Sequence, residues 1–198
     1  MRNRVLFALP ALLLTGTLPG QPAQKTARAD ILNAKGEKNG STTLREEKER
    51  TQPIGIVTPR GEKIKMESGT LHFAGGVRIK LNASQLPAGT HALHIHAVGK
   101  CDPPDFKTAG PHFNPTGKKH GRENPEGAHA GDLPNFEVGN DGRAKVSLFA
   151  NHVTLDDGPN SLFHPEGTAL VIHEKPDDYI TDPTGNAGAR IACGVIQK

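Results

Sequence analysis

The stretch from Thr90 to Cys101, "THALHIHAVGKC", sets three histidines within six residues and ends on a cysteine. Imidazole can both hold a metal ion and carry a proton near neutral pH. His94 and His96 stand at i and i+2, which on a β-strand puts both rings on one face about 7 Å apart. Such a pair can grip one ion; the same pattern also suits two polar residues on a wet strand face. A second set follows in the Pro- and Gly-rich segment 101–135, where His112, His120 and His129 are joined by Asp132. Three imidazoles and a carboxylate make the nitrogen and oxygen ligand set of a closed tetrahedral zinc site. A long loop without a core of its own also gains from a metal staple. The alternative is a solvated, flexible histidine-containing loop. Imidazole has two nitrogens, so one ring could serve both clusters. His173 ends the apolar run "GTALVIHEK".

These residues must be held by something rigid. In "GGVRIKLNA", Val77, Ile79 and Leu81 alternate with Arg78 and Lys80, the period of a half-buried strand. "LPAG" turns the chain into "THALHIHA", "GNDG" at 139–142 is a tight turn, and Ala144, Val146 and Leu148 alternate after it. "CGVI" reads as a short terminal strand. "NAKGEKNGSTTLREE" reads as a hairpin with Gly36 and Gly40 as turn residues. Residues 48–68 read as an inserted, loosely structured excursion. With 23 glycines, 16 prolines and aromatics at 4%, the composition favours short strands and many turns. An antiparallel sandwich or barrel is the expected class.

The N-terminus bears on compartment. "MRNR" is followed by the apolar run Val5 to Leu18 and by the small-x-small site Ala27-Arg28-Ala29. This is the pattern of a secretory signal peptide over residues 1–29, leaving a domain at 30–198; an uncleaved anchor is the alternative. The run is short for a membrane span, and no span is expected in the mature protein. Residues 1–29 carry four basic and no acidic side chains, so the net charge of +3 becomes −1 without them. No basic excess remains for nucleic acid. Two cysteines, Cys101 and Cys193, read in an exported protein as one disulfide; closing a loop of about 90 residues, it would contribute about 4–5 kcal/mol.

The motifs "HALHIHAVGKC", "GPHFNPTGKKHG", "HAGDLPN", "VIHEKPDD" and "GNAGARIACGVI" together resemble the copper/zinc superoxide dismutases of the bacterial, exported type, over about residues 76–198 and weakly over 30–47. The resemblance implies an all-β, immunoglobulin-like Greek-key antiparallel barrel or sandwich with long metal-binding and electrostatic loops. It implies one copper and one zinc per chain. Copper would be held by His94, His96, His112 and His173, and zinc by His112, His120, His129 and Asp132. His112 would bridge the metals and carry a proton. Arg190 would attract the superoxide anion, Thr184 would shape the channel mouth, and Asp177 would link a copper histidine to a zinc histidine. Cys101 and Cys193 would tie the loop to the barrel. The implied activity is conversion of superoxide to oxygen and hydrogen peroxide, in the periplasm or outside the cell, with a homodimer as the candidate assembly. A non-catalytic copper/zinc-binding or copper-delivery module on the same fold is the alternative, and a structural sandwich stapled by zinc is a third reading. Three features depart from the eukaryotic pattern: Cys101 lies eleven residues before His112, the segment from His173 to Arg190 is short, and 48–68 has no counterpart. His91 is expected to make a structural hydrogen bond, and His72, His152 and His164 to lie at the surface.

Overall fold

The computed structural model describes residues 23–57, 63–73 and 75–198. In chain order the strands are β1 (Thr26–Asn33), β2 (Lys38–Glu47), β3 (Arg50–Val57), β4 (Lys63–Phe73), β5 (Gly76–Ala83), β6 (Gly89–His91), β7 (Leu93–His96), β8 (Phe136–Val138), β9 (Ala144–Ala150), β10 (Ala169–His173) and β11 (Arg190–Val195). A 3-10 turn covers Lys107–Ala109. The class is all-β, as expected. One antiparallel sheet runs β7-β10-β11-β1-β2-β5-β9, and β6 pairs with β8. Because β6 leads into β7 across Ala92, and β8 lies beside β9, the sheet curls towards closure around one core.

Alternation builds that core. The register places Ala27, Leu44, Ile79 and Leu148 in one inward row, and Ala29, Thr42, Leu81 and Val146 in the next. Small alanines on β1 face larger side chains on its neighbours, so the rows interdigitate. On β7, Leu93 and Ile95 enter this core while His94 and His96 take the other face, yet all four are buried. The outer face is covered by loops. A second, smaller cluster of Phe106, Ala109, Ala169, Val171 and Cys193 packs outside β10 and β11. The Cys101–Cys193 disulfide, with Cα atoms 5.6 Å apart, fastens the 101–110 loop there.

Two expectations need correction. Gly36, at φ 78°, does turn the β1–β2 hairpin, but Gly40 lies within β2. It is glycine because a Cβ there would stand 2.9 Å from the Asn82 carbonyl oxygen on β5. The described residues within 48–68 are not a loose excursion: β3 and β4 pair from Arg50↔Phe73 to Val57↔Lys63 as antiparallel strands extruded where the β2–β5 pairing ends at Glu47↔Gly76. Prolines and charges hid them, and Pro53, which lacks an N–H to donate, sits at the register shift. β1 begins at Thr26, inside the 1–29 segment expected as a signal peptide, and its Ala27 and Ala29 are buried and paired with β2. The apolar run Val5 to Leu18 lies outside the described residues. Among the described residues no helix is long and apolar enough to cross a membrane.

Candidate metal centre

The two expected ligand sets converge on one buried site. β7 supplies His94 and His96, and β10 supplies His173 at its end, where its pairing with β11 shifts register. The loop is stitched to β7 by backbone hydrogen bonds: Ile95 N–H donates to Gly131 (2.9 Å), Phe113 N–H to Ile95 (2.8 Å) and Gly131 N–H to Phe113 (2.9 Å). Gly131 permits that approach, since a Cβ would stand 2.3 Å from the Ile95 carbonyl oxygen. These rungs bring His112 beside His96 and Asp132 beside His94.

Two cages result, sharing His112. In one, nitrogens of His94, His96, His112 and His173 face each other; in the other, His112, His120, His129 and Asp132 do. All seven side chains are buried. In the second cage Asp132 Oδ1 is 3.1 Å from His112 Nδ1, 3.1 Å from His120 Nδ1 and 3.4 Å from His129 Nδ1, and His112 and His129 Nδ1 are 3.4 Å apart. Four ligand atoms about 2.0–2.1 Å from a tetrahedral zinc ion stand about 3.3–3.4 Å from one another, so the cage has the right size. In the first cage His96 Nε2 and His173 Nε2 are 3.4 Å apart, and His94 Nδ1 and His112 Nε2 are buried without any hydrogen-bond partner. Buried polar atoms are normally satisfied; these two orphans point to a cation that both can ligate.

The partners behind the rings fix which nitrogen faces the ion. His96 Nδ1–H donates to the Gly110 carbonyl (2.8 Å), and His173 Nδ1–H reaches the Gly188 carbonyl at 3.4 Å, leaving each Nε2 free. Asp177 accepts from His94 Nε2–H (2.8 Å) and from His120 Nε2–H (3.0 Å), leaving their Nδ1 atoms free and joining the cages from behind. Asp132 Oδ2 accepts from the backbone N–H of Gly121 and His129, both at 3.0 Å, which aims Oδ1 into its cage. His112 has neither nitrogen tied to an acceptor outside the ligand set, and it is the one residue common to both cages, so both nitrogens are open to metal.

Electrostatics agree. Burial, reinforced by neighbouring imidazoles, holds His96 well below its ordinary pKa and lowers His112 to about 4 and His173 to about 3. Their lone pairs are thus free at neutral pH. For His120, burial is opposed and outweighed by its hydrogen bonds with Asp132 and Asp177, which raise it to about 9. Burial would lift the Asp132 and Asp177 carboxyls, but the surrounding histidines hold both far below the usual range.

A cavity of about 950 Å³ opens onto the site, lined among others by His112, His129, Lys107, Lys118, Thr184 and Arg190. Arg190 is half-buried and donates to the Phe106 (2.8 Å) and Gly110 (2.7 Å) carbonyls. Gly110 thereby serves both Arg190 and His96. Burial lowers the Arg190 pKa, yet guanidinium keeps its charge.

The sequence did not reveal Asn135 and Tyr179. Asn135 clamps the Asp177 backbone, accepting from its N–H and donating to its carbonyl (both 2.9 Å), and Tyr179 N–H donates to Asp177 Oδ1 (2.7 Å). The only hint was an amide three residues beyond Asp132. His91 spans the His173 and Pro87 carbonyls and stays outside the cages. His152 is exposed; His164, expected at the surface, instead stacks on Phe113 (5.2 Å) and lines the cavity. The side chain of His72 lies outside the described residues.

Residues 65–196 match the family model described as copper/zinc superoxide dismutase. A protein of Aquifex aeolicus strain VF5 named copper–zinc superoxide dismutase 1 is 56% identical over 144 residues, 72% of this chain and 85% of its own. Its namesake numbered 2 is 51% identical over 159 residues, 79% of this chain and 89% of its own. The crystal structure of a SOD-like protein from Bacillus subtilis matches with a TM-score of 0.69 and 34% identity, covering 87% of this chain and 99% of the other.

Proposed function

The chain belongs to the copper/zinc superoxide dismutase family, and from that premise we propose that it is an exported superoxide dismutase holding copper at His94, His96, His112 and His173 and zinc at His112, His120, His129 and Asp132. The observation that carries the reading is the pair of cages meeting at His112, each with its lone pairs aimed inward, beside a half-buried cation. Bound copper supplies a one-electron centre with two accessible oxidation states, and bound zinc a fixed charge. Across a full cycle two superoxide ions and two protons give one oxygen and one hydrogen peroxide.

The chain's own groups bind and protonate. Arg190 offers the permanent charge that draws a small anion down the cavity, with Thr184 at its wall. Its two carbonyl anchors fix the guanidinium, so orientation costs little when the anion arrives. His112 Nε2 has no protein partner, so it can hold a proton in one half-cycle and release it in the next. Asp177 keeps His94 and His120 in the tautomers that face the cages. A non-catalytic metal carrier on the same fold is not favoured: neither Arg190 nor any expected ligand is out of place.

Export is supported by the Cys101–Cys193 bond and the apolar run Val5 to Leu18. Because β1 needs Thr26, processing is placed before that residue, and the mature N-terminus read by mass spectrometry from the cell envelope tests it. The candidate assembly is a homodimer, read by light scattering. For activity, superoxide consumption is compared among metal-free, zinc-only and copper-plus-zinc protein. Fast consumption is expected only with copper, and no consumption at one copper per chain would defeat the reading.

A further inference from the structure

The outer face of β1, β2 and β5 carries a charge pattern that the metal centre does not use. The register sets Arg45 directly opposite Arg78, and in the adjoining row Arg28 and Lys80 flank Thr43. The C-terminal Lys198 joins them, because Gln197 is bridged to Arg28. These cations line a groove of about 490 Å³ whose only lining carboxylate side chain is Glu47. Glu47 is committed to Arg78 by two bonds of 2.8 and 2.9 Å, and Lys198 lies 5.0 Å over the Phe163 ring. Arg28, Arg45 and Lys80 have no ion-pair partner among the described residues.

Like charges directly opposite on neighbouring strands destabilise a sheet. Here Glu47 offsets Arg78, but Arg45 beside it and Arg28 and Lys80 in the adjoining row stand without an ion-pair partner among the described residues, on a domain with no overall excess of positive charge. Without Arg2, Arg4 and Lys25, 21 of the 24 basic residues remain against 21 acidic ones. The cations are gathered rather than numerous. A gathered, solvent-facing and uncompensated set on a broad sheet face suits a surface of fixed negative charge.

The path of the chain says which surface. Thr26, the first residue of β1, itself lines the groove. The apolar run Val5 to Leu18 precedes it by residues 19–25, at most about 25 Å of extended chain. A segment that engages the bilayer during export therefore joins the fold at this face. That step rests on the export reading; the charge pattern does not.

We propose that the Arg28, Arg45, Lys80 and Lys198 face docks on the phosphate headgroups of an anionic phospholipid bilayer. Arginine forks suit phosphate oxygens, and each basic side chain near such a surface contributes independently. The active-site cavity is lined by other residues, so docking leaves catalysis free.

The test is co-sedimentation of the processed, metal-loaded protein, without the apolar run Val5 to Leu18, with vesicles of phosphatidylcholine alone and of phosphatidylcholine mixed with phosphatidylglycerol. Pelleting is expected with the anionic vesicles only, and is lost as salt shortens the Debye length from about 10 Å at 0.1 M towards about 3 Å at 1 M. R45Q/K80Q should lower the partition coefficient about 30-fold, two charges at roughly 1 kcal/mol each, while superoxide consumption stays at the parent rate. K100Q, outside the groove, should shift partition far less. Three results would overturn the proposal. They are equal pelleting with zwitterionic vesicles, a partition unmoved by R45Q/K80Q, and release by millimolar inorganic phosphate at matched ionic strength. The last would reassign the groove to free phosphate.

Discussion

The two halves of the metal centre are held in place by different physics. His94, His96 and His173 sit on strands whose opposite faces are packed in the core, and the rear nitrogens of His96 and His173 face backbone carbonyls. His120, His129 and Asp132 sit on a segment with no strand or helix of its own, between His112 and β8. There the positions come from carboxylates: Asp132 gathers three histidines, and Asp177 reaches across to hold the fourth ring, His94, from behind. Packing preorganises the first half whether or not an ion is present. The second half is a ring of charge that the ion completes.

The hardest break is D132A. It removes the oxygen ligand and the acceptor for the Gly121 and His129 N–H groups together. Zinc retention after dialysis should fall from one per chain to near none, and hydrogen exchange should accelerate across residues 115–132. Residues 93–96 and 169–173 should stay protected, and copper should still be retained. Equal loss of protection in both regions would show that the strand half is no more independent than the loop half.

D177A is the next largest. It releases one histidine from each half, but His94 remains wedged on β7 while His120 loses a partner it depends on. Removing such a supporting carboxylate typically costs about 10–100-fold in metal affinity. We expect that loss for zinc and a smaller one for copper, measured by competition with a chelator.

The same contrast governs what the sequence could reveal. His94 and His96 were legible because a strand translates spacing into geometry: i and i+2 share a face. The four zinc-side residues were legible as types, but not as a cage, since no periodicity relates positions 112, 120, 129 and 132. Asn135 was invisible because it works through the backbone of Asp177, some forty residues away in sequence, and Tyr179 because its backbone N–H, not its side chain, meets the Asp177 carboxylate. The alternating strands β5 and β9 were plain, whereas β3 and β4 were masked by Pro53 and by charge. Residues 27 and 29 read as a cleavage motif because small side chains suit a processing site and a tightly packed strand equally well.

G185A should have a moderate effect. Gly185 adopts φ +62°, and a Cβ there would fall 1.9 Å from Asp177 Oδ1 and 2.6 Å from His120 Nε2. The Asp177 carboxylate must shift, at a cost of about 1–3 kcal/mol. The loss should appear mainly in the melting temperature of the zinc-loaded protein. A metal-free melt lowered by as much would mean that strain in the 177–185 segment, rather than the joint between the halves, is what was damaged.

The smallest effect separates the halves by proton rather than by mutation, in the metal-free protein. An unfolded chain titrates its histidines near 6.5. His112 and His173 are held near 4 and 3 by burial, so between about pH 6.5 and those values the unfolded chain binds protons that the folded one refuses. Stability from these groups is complete above 6.5 and is lost as pH falls. His120 runs the other way: its carboxylates hold the proton to about 9, so its contribution is complete below 6.5 and is lost as pH rises through 9. Metal-free melting temperature should therefore peak near pH 6.5 and fall on both sides, towards about 3–4 on the acid limb and about 9 on the alkaline one, each kcal/mol lost moving it by about 2–4 °C. H173Q should soften the acid limb and leave the alkaline one; H120Q should do the reverse. A profile with one limb, or two limbs lost together in either variant, would mean that the cages titrate as a single unit and that strand and loop do not hold their histidines by separate means.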